Sequence, residues 1–459
     1  MSNNKFKINL PFINYRFEFP DFCQGLLMCA VDLAAIPLLI SLFGMPMEVA
    51  LGVVLINGLF YLLHATFNDG VVPGWITPAI PLIMAFVSVF PEGTERIHAL
   101  MALQMMVGFL SVFLGVTGWA LPVIKAVPAS IRSGIIMGAG IASVVAVFKL
   151  DGRFDIFPYT ISIAVGLAFY LIFSDHFKEL SQKNRFFMSI NNLGIFPIIV
   201  LAIVIAPLFG EAPWPTIEWG ITSPDFGTLF REYSVYGIGF PPLETFIFTI
   251  PTVMAIYLVL FGDVLQTKAI LDDAESARPD EPLNYSPNRA HIIFGARNLI
   301  ISGISPDPTM AGPLWSAMTV VICQRYKQGK QSMQSMISGV GSFRLGTNCG
   351  LLMLPIVSLV QPILGIALAL TMIIQGYVSC KVGILEAKSE KDLGISGIVA
   401  GVLVAKGAAW AFAVGTAICV LIYGFKIFKP LIYGFKKGVD KKEVSKEEEP
   451  NLLFNHLEK

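Results

Sequence analysis

The stretch Ser305-Pro-Asp-Pro-Thr-Met-Ala-Gly-Pro-Leu-Trp315 interrupts a long apolar region with three prolines, a glycine and an aspartate. Pro306, Pro308 and Pro313 have no backbone N–H, and each biases the residue before it toward extended geometry. We therefore expect an extended segment that leads into a short helix from about Gly312. Within a bilayer, such a backbone is stable only where protein covers it or where it lines a water-filled cavity.

A second interrupted segment occurs in the first half of the chain. The stretch Val71-Val-Pro-Gly-Trp-Ile-Thr-Pro-Ala-Ile-Pro81 also combines prolines with glycine, and it leads into the short apolar run 82–90. Paired interrupted segments of this kind are typical of the binding site of a secondary transporter. The two stretches therefore predict such a site.

Composition places the chain among membrane proteins. Of its 459 residues, 55% are hydrophobic and 14% are charged, and the mean hydropathy is +0.70, whereas soluble domains contain about one quarter charged residues. The formal net charge of zero argues against nucleic-acid binding, which needs a basic surface. The six cysteines form no CxxC pair, and no P-loop or Ser/His/Asp arrangement occurs. We therefore expect neither an enzyme nor a cofactor.

Apolar runs recur along the whole chain. Two of them, 78–90 and 312–325, reach only about halfway across a bilayer, which takes about 20 helical residues. With the long runs they predict an all-α polytopic membrane protein of fourteen transmembrane segments, in which spans 3 and 10 are half-helices preceded by short extended strands. The long runs lie at 22–43, 47–67, 94–118, 129–149, 156–174, 190–209, 245–270, 288–304, 332–357, 362–380, 394–409 and 411–428.

The charges between these runs predict the orientation. Lysine and arginine residues concentrate at 125–132, 178–185, 325–330 and after Lys426, whereas the long loop 210–243 is acidic. Positively charged loops stay in the cytoplasm, so we expect a multi-pass protein of the cytoplasmic (inner) membrane with both termini in the cytoplasm.

An internal repeat supports the number of spans. Asp32 and Asp263 are about 231 residues apart, and Pro73 and Pro308 are about 235 apart. Two halves of seven spans each have opposite topologies, so this spacing predicts two inverted seven-span repeats. The alternative is a chance coincidence in a chain with 29 prolines.

Ionisable residues inside spans are costly and indicate function. Asp263 and Thr267 are one helical turn apart, so their side chains share a face. With exposed carbonyl groups of an interrupted segment, they would form an oxygen site suited to sodium. Two alternatives stay open at this point: a coupling proton at Asp263, and a purely structural ion pair with an arginine.

Further charges within the spans need partners. Arg297 and Arg344 are the buried cations, and Arg344 is the better candidate for contact with an anionic substrate. Asp32 either lines the cavity or neutralises one of these arginines. The other acidic residues available to pair with them are Asp307 and Glu244.

Four segments resemble the uracil-permease fold, which is shared by nucleobase/ascorbate permeases, sulfate-permease-type anion transporters and bicarbonate transporters. The ranges 71–90 and 305–325 are similar to its interrupted third and tenth spans. The stretch Asn288-Arg-Ala-His-Ile-Ile-Phe-Gly-Ala-Arg-Asn-Leu-Ile-Ile-Ser-Gly303 resembles its ninth span. The stretch Asp263-Val-Leu-Gln-Thr267-Lys-Ala-Ile-Leu-Asp272 most resembles the eighth span of sodium-dependent bicarbonate transporters of cyanobacteria.

This resemblance implies a sodium ion as coupling ion, and it implies which residues hold it. The implied ligands are Asp263 and Thr267, with backbone groups of Thr309, Met310 and Ala311. Two features depart from the family. We expect no C-terminal cytoplasmic domain of the sulfate-permease type, and no acid follows Gly312 where nucleobase permeases carry one. A bacterial branch of the fold is therefore implied, and it does not define the substrate.

The resemblance also implies a division into two domains. A mobile core would comprise 21–118 (spans 1–4) and 241–360 (spans 8–11). A gate would comprise 119–240 (spans 5–7 and the external loop) and 361–428 (spans 12–14), and it would mediate homodimerisation. The remaining parts are a leader at 1–20 and a cytoplasmic tail at 429–459.

These observations predict a secondary active transporter that works by alternating access. We expect sodium-coupled symport of a small anion such as sulfate, bicarbonate or a small carboxylate. The alternatives are a nucleobase or heterocycle permease coupled to protons or sodium, and a channel or non-transporting membrane scaffold. The candidate substrate-binding residues are Thr77, Pro78, Ala79, Gly262, Gln266, Thr309, Met310, Ala311 and Gly312.

Overall fold

The computed structural model describes residues 8–192, 195–283 and 285–424, and these residues are mainly helical. The predicted tail at 429–459 and residues 1–7 of the predicted leader lie outside the described residues. In chain order the helices are α1 Phe19–Leu33, α2 Ile36–Phe43, α3 Met47–Thr66, α4 Ile80–Val87, α5 Thr94–Thr117, α6 Ala120–Ala126, α7 Ala129–Phe148, α8 Arg153–Ile156, α9 Pro158–Phe173, α10 Asp175–Lys183, α11 Arg185–Asn192, α12 Phe196–Leu208, α13 Phe226–Glu232, α14 Val235–Ile238, α15 Leu243–Ser276, α16 Pro287–Ile304, α17 Ser316–Tyr326, α18 Met336–Leu352, α19 Leu354–Val360, α20 Leu364–Glu386, α21 Glu390–Lys406 and α22 Ala408–Tyr423.

Two short strands interrupt this helical chain. They are β1 Gly74–Trp75 and β2 Ala311–Gly312, and they pair antiparallel as the one sheet of the described residues. A 3-10 turn at Thr77–Ala79 joins β1 to α4, and a second 3-10 turn, Gln361–Ile363, precedes α20.

Each apolar run of the sequence contains a helix, but several boundaries differ from the prediction. The run 332–357 becomes a helix only at Met336, because the Ser335 hydroxyl accepts the Ser338 N–H at 3.0 Å and caps α18. The run 22–43 is divided into α1 and α2 at Ala34 and Ala35.

Multiple helices are suited to cross a membrane. By length and composition the described part of the chain has six such helices, or seven if the bent pair α9–α10, with 61° between its axes, is one span. Helices α18 and α21 have 17 residues each, a little under the roughly 20 that a full crossing takes. The chain is therefore a multi-pass membrane protein, and fourteen crossings in two inverted repeats stay a prediction.

Long-range helix packing falls into two groups. Helix α1 packs along α18 and α5 along α16, whereas α7 packs along α20 and α21. At the α7–α20 crossing, a Cβ atom on Gly140 would lie 2.7 Å from the Gly376 carbonyl oxygen. Only glycine permits this approach of the two backbones.

Ion pairs and hydrogen bonds of Glu18 connect the segment before α1 to the end of α17 and the start of α18. The Glu18 side chain is 3% exposed, and its Oε2 lies 2.9 Å from Arg325 Nη2. The Glu18 Oε1 accepts the Gln334 N–H at 2.8 Å and the Ser338 hydroxyl at 3.0 Å. Burial by itself raises the pKa of Glu18, but the hydrogen bonds from Arg16, Gln334 and Ser338 outweigh it and lower the pKa below its ordinary value.

Candidate transport site

The two interrupted segments meet and satisfy each other's backbone groups. Gly74 is paired with Gly312 and Trp75 with Ala311. A Cβ atom on Gly312 would lie 2.8 Å from the Trp75 carbonyl oxygen, so the two backbones approach as closely as they do only because this residue is glycine. The sequence therefore has a glycine at this close crossing of the two strands.

Further main-chain bonds extend this contact on both sides of the strands. The Ile76 N–H donates to the Thr309 carbonyl at 3.1 Å, and the Trp315 N–H donates to the Val72 carbonyl at 2.7 Å. The second bond keeps the chain extended as far as Trp315, so α17 begins at Ser316. The prediction of a half-helix from about Gly312 was therefore too early by roughly one helical turn.

Each strand leads directly into a half-helix. Because β1 and β2 are antiparallel, the first turns at Thr77 and Ser316 both begin beside the strand pair, and the two half-helices run away from it. The first N–H groups of a helix have no partner within the helix and carry a partial positive charge. Two such helix starts at one place can bind an anion without a cationic side chain.

An amide side chain from α16 holds β2 in place. Asn298 Oδ1 accepts the Ala311 N–H at 2.8 Å, and Asn298 Nδ2 donates to the Ala311 carbonyl at 2.9 Å. Gln104 on α5 donates to the same Asn298 Oδ1 at 3.2 Å and accepts the Asp307 N–H at 3.1 Å. Two uncharged side chains thus fix the interrupted segment between α5 and α16.

Asp307 stabilises the turn before β2. Its Oδ1 accepts both the backbone N–H and the hydroxyl of Thr309 at 2.8 Å, and its Oδ2 accepts a bond from the Asn57 amide. Met310 follows with φ of +51°, in the left-handed region. Asp307 is fully engaged in these bonds and does not face the cavity described below.

The two buried arginines share one aromatic ring. The guanidinium carbons of Arg297 and Arg344 lie 3.7 and 3.8 Å from the centroid of the Tyr61 ring. Arg344 forms an ion pair with Asp32 at 3.2 Å, and Arg297 donates to Asn57, which in turn bonds to Asp307. The predicted charge partners are thus brought together.

Glu244, the third acid considered as a partner, is exposed at the start of α15 and pairs with neither arginine.

A cavity of about 370 Å³ lies against the strand pair and the half-helix starts. Asp263 and Gln266 of α15 line it, together with Asp32 of α1. Its lining contains no lysine, arginine or histidine among the described residues. The polar and aromatic residues around it are Asp32, Trp75, Thr77, Asp263, Gln266, Trp315, Ser316, Gln324, Thr371 and Gln375.

The cavity extends from the half-helix starts toward one end of the bundle. Phe173 at the end of α9, Ile190 of α11 and Ile195 before α12 line that end. This is the side on which the sequence places the cytoplasm.

Asp263 differs from the other acids near the cavity. It is half-buried, and its carboxylate has no hydrogen bond or ion pair to any residue that the structure describes. The Thr267 hydroxyl donates to the Asp263 carbonyl at 2.8 Å, which leaves its oxygen lone pairs free to accept or ligate. The alternative of a structural ion pair between Asp263 and an arginine is not formed within the described part of the chain, where Arg344 pairs with Asp32 and Arg297 donates to Asn57.

The predicted site residues fall into two sets. Thr77, Pro78, Asp32, Asp263 and Gln266 line the cavity. The others do not line it: Ala79, Gly262, Thr267, Arg297, Asp307, Thr309, Met310, Ala311, Gly312 and Arg344.

The prediction missed several residues that position the site. Asn57, Tyr61, Gln104 and Asn298 support the interrupted segments but line no cavity. Their signal in the sequence is a single amide or phenol within an apolar span.

No group of three or more His, Cys, Asp or Glu side chains that could hold a metal ion occurs in the described ranges; a sodium site would depend on hydroxyl and main-chain oxygens as well.

Comparison with known proteins gives a match in structure but not in sequence. No protein-family model matches the chain, and no curated protein matches it. The transmembrane domain of BicA, a bicarbonate transporter of a cyanobacterium, matches with a TM-score of 0.56 and 15% identity over 89% of this chain and 100% of that domain. SLC26A9 matches with a TM-score of 0.55 and 16% identity over 89% of this chain and 66% of its own length.

These matches define the class of fold. The chain has the architecture of the membrane domains of BicA and SLC26A9, which confirms the resemblance to uracil-permease-fold transporters at the level of the fold. A bacterial branch within that fold stays a prediction.

Proposed function

We propose that the protein is a secondary active transporter that couples the movement of a small anion to sodium. The observation that carries this proposal is a cavity that joins two half-helix starts to the carboxylate of Asp263, which has no partner among the residues that the structure describes. Helix starts favour an anion and an unpaired carboxylate favours a cation. Both ions therefore have a place in one cavity, as symport requires.

Charge balance gives the order of binding. The Asp32 charge is balanced by Arg344 at 3.2 Å, whereas Asp263 has no counter-charge among the described residues. In its ionised form, Asp263 would repel an anion that enters the empty cavity. Sodium at Asp263 removes that repulsion, so sodium binds first and the anion follows.

The proposed sodium ligands are the Asp263 carboxylate, the Thr267 hydroxyl and backbone groups of 309–311. The Thr309 carbonyl accepts one bond, from the Ile76 N–H, and a carbonyl oxygen has a second lone pair for a cation. The anion would lie between Thr77–Ala79 and Ser316, next to Gln266. Arg344, although cationic, is 0% exposed and acts behind the wall of the site.

Helix packing supports alternating access by a core and a gate. The α1–α18 and α5–α16 pairs belong to the proposed core, and the α7–α20 and α7–α21 pairs belong to the proposed gate. The cavity lies between the proposed core and the proposed gate, since its lining includes Asp263 from the core and Thr371 from the gate. Movement of the core past the gate would carry the bound ions across. Assembly of the gate into a homodimer, an inner-membrane location and cytoplasmic termini belong to the same proposal.

BicA is a bicarbonate transporter, which supports bicarbonate as the first anion to test, followed by sulfate and small carboxylates. Purified protein is reconstituted into proteoliposomes that contain sodium-free buffer. Uptake of labelled anion is then measured with sodium and proton gradients imposed separately. We expect concentrative uptake driven by an inward sodium gradient. Uptake that follows the proton gradient and ignores sodium would exclude sodium coupling, and passive flux without any coupling would indicate a channel.

A second candidate is a permease for a nucleobase or another planar heterocycle. The observation in its favour is that the indole rings of Trp75 and Trp315 both belong to residues lining the cavity, next to the amide of Gln266. Aromatic surfaces stack on flat rings, and an amide can recognise ring edges through hydrogen bonds. Labelled uracil and xanthine in the same liposomes test it: their uptake, with no uptake of anions, would favour this candidate.

A further inference from the structure

The segment before α1 forms a tight turn with an apolar tip. The Asn14 N–H donates to the Leu10 carbonyl at 3.0 Å, and the Leu10 N–H donates back to Asn14 Oδ1 at 2.8 Å. Between them lie Phe12 and Ile13, whose exposed fractions are 69% and 76%. The turn therefore satisfies its own polar groups and presents two large apolar side chains outward.

The base of this turn is fixed to two helices. On one side, the Asn9 N–H donates to the Thr66 carbonyl at the end of α3, at 2.8 Å. On the other side, Tyr15 is buried against α18. A Cβ atom at Gly341 of α18 would overlap the Tyr15 hydroxyl, so a glycine there makes room for the phenol. The tip is therefore held in one orientation relative to α3 and α18.

The backbone of Phe12 is strained. Its φ is +63°, in the left-handed region, which is unfavourable for a bulky residue and easy for glycine. A strained residue that is also apolar and exposed gains nothing from water. Strain and exposed apolar surface together indicate a contact that the described part of the chain does not supply.

Stacked aromatic rings connect the tip to α1. The Phe12 ring lies 5.4 Å from the Phe17 ring, and the Phe17 ring lies 5.1 Å from that of Phe22, in the first turn of α1. Helix α1 belongs to a segment suited to cross the membrane, and Phe19 and Leu27 are exposed along it. The tip therefore continues the outer apolar surface of α1 at the level where this span begins.

The chemistry of this surface fits the boundary of a bilayer. Aromatic and large aliphatic side chains are favoured at the membrane–water interface. In the sequence, Lys5 and Lys7 precede the tip and Arg16 follows it. Basic residues next to an apolar segment favour the anionic headgroups of lipids.

We infer that the turn 10–14 is a membrane anchor, in which Phe12 and Ile13 insert into the interfacial region of the leaflet where α1 begins. The anchor is bound to α3 and α18, which belong to the proposed core. A movement of the core would therefore have to carry the anchor with it or pull it out of the lipid. This last consequence rests on the proposed transport function, whereas insertion of the tip does not.

The test measures the depth of the tip in a bilayer. The full chain is placed in nanodiscs of phosphatidylcholine and phosphatidylglycerol, and Phe12 is replaced by p-acetylphenylalanine, to which a spin label is attached without altering the native cysteines. Power saturation then compares collisions of the label with oxygen, which concentrates in the bilayer, and with a nickel chelate that stays in water. The same label replaces Gln328, which is exposed in the α17–α18 connection, as the reference for water. It replaces Phe109, which is exposed on α5, as the reference for lipid.

We expect the ratio of oxygen to nickel collisions at position 12 to be several-fold higher than at position 328 and close to that at position 109. Equal ratios at positions 12 and 328 would overturn the inference. Dipolar broadening between labels at position 12 of two copies would also overturn it, since a second copy of the chain would then cover the tip. If the label at position 12 prevents folding, as judged by size-exclusion chromatography, Ile13 takes the label with the same expected result.

These readouts separate the anchor from the transport proposal. None of them requires uptake of an ion. A tip in lipid in a protein that ignores sodium would refute the sodium coupling alone, and a tip in water in a sodium-coupled transporter would refute the anchor alone.

Discussion

Arg344 on α18 and Asp32 on α1 form an ion pair of 3.2 Å whose side chains are 0% and 5% exposed. The same guanidinium donates to the Pro73 carbonyl just before β1 and lies 5.1 Å from the ring of Trp315, which follows β2. One arginine therefore connects α1 to both interrupted segments. The pair organises the site while keeping the positive charge out of the cavity.

Replacing Asp32 by asparagine should destabilise the protein strongly. It leaves Arg344 buried without its counter-charge, which costs about 3–5 kcal/mol. Thermal unfolding in detergent, followed by size-exclusion chromatography, measures the loss. The control is Glu92→Gln, which breaks a pair with Arg96 in which the Glu92 side chain is 86% exposed, and which should cost at most about 1 kcal/mol. Equal melting temperatures for the two variants would refute the structural role of the pair.

Gly312→Ala should impair transport. The added Cβ would meet the Trp75 carbonyl oxygen at 2.8 Å, so the two strands must separate. Gly397→Ala is a matched control, because no atom lies within 4 Å of the Cβ it adds. Uptake assays in proteoliposomes should show a large loss for the first variant and wild-type activity for the second. Full activity of Gly312→Ala would mean that the strand contact is not needed.

Asn298→Asp tests the amide that holds β2. Aspartate cannot donate, so the Ala311 carbonyl, now 2.9 Å from Nδ2, would face a second acceptor. The expected cost is about 1–3 kcal/mol of stability, together with reduced uptake. The control Gln182→Glu makes the same amide-to-carboxylate change at an exposed position of α10 and should have no effect. A melting temperature for Asn298→Asp that matches this control would contradict the proposed role.

Proline chemistry explains how much of this site is predictable from the sequence. Pro73, Pro308 and Pro313 each lack a backbone N–H. Both interrupted segments can therefore be recognised from the sequence without knowing which residues they contact. The start of α17 was not predictable, because it depends on the bond from Trp315 to Val72, a contact between distant parts of the chain.

The partners of the buried polar residues are harder to predict from the sequence than the positions of the two interrupted segments. Asp32 and Arg344 are 312 residues apart in sequence, and nothing local distinguishes Asp32 from Glu244 as the counter-charge. The roles of Gln104 and Asn298 likewise follow only from the packing of α5 along α16. Asp263, by contrast, was predicted as a site residue from its position within an apolar span, because an ionisable residue there is costly, and it lines the cavity.

The network around Glu18 predicts a loss of stability in acid. Its pKa is lowered in the folded protein, so its contribution is present above the unfolded value of 4.5 and is lost as the pH falls through the folded value. Wild-type protein should therefore lose melting temperature as the pH falls below about 4.5. Glu18→Gln should be less stable at neutral pH and should depend less on pH in this range. Parallel pH profiles for the two proteins would contradict this prediction.

The most direct test of the central claim is equilibrium binding of 22Na⁺ to the purified protein. We predict saturable binding in the wild type and in Asp272→Asn, a control on the same helix whose carboxylate pairs with Lys268 instead of facing the cavity. Asp263→Asn, folded and monodisperse, should bind no sodium. Wild-type sodium binding in Asp263→Asn, or none in the native protein, would contradict the claim that Asp263 holds the coupling ion.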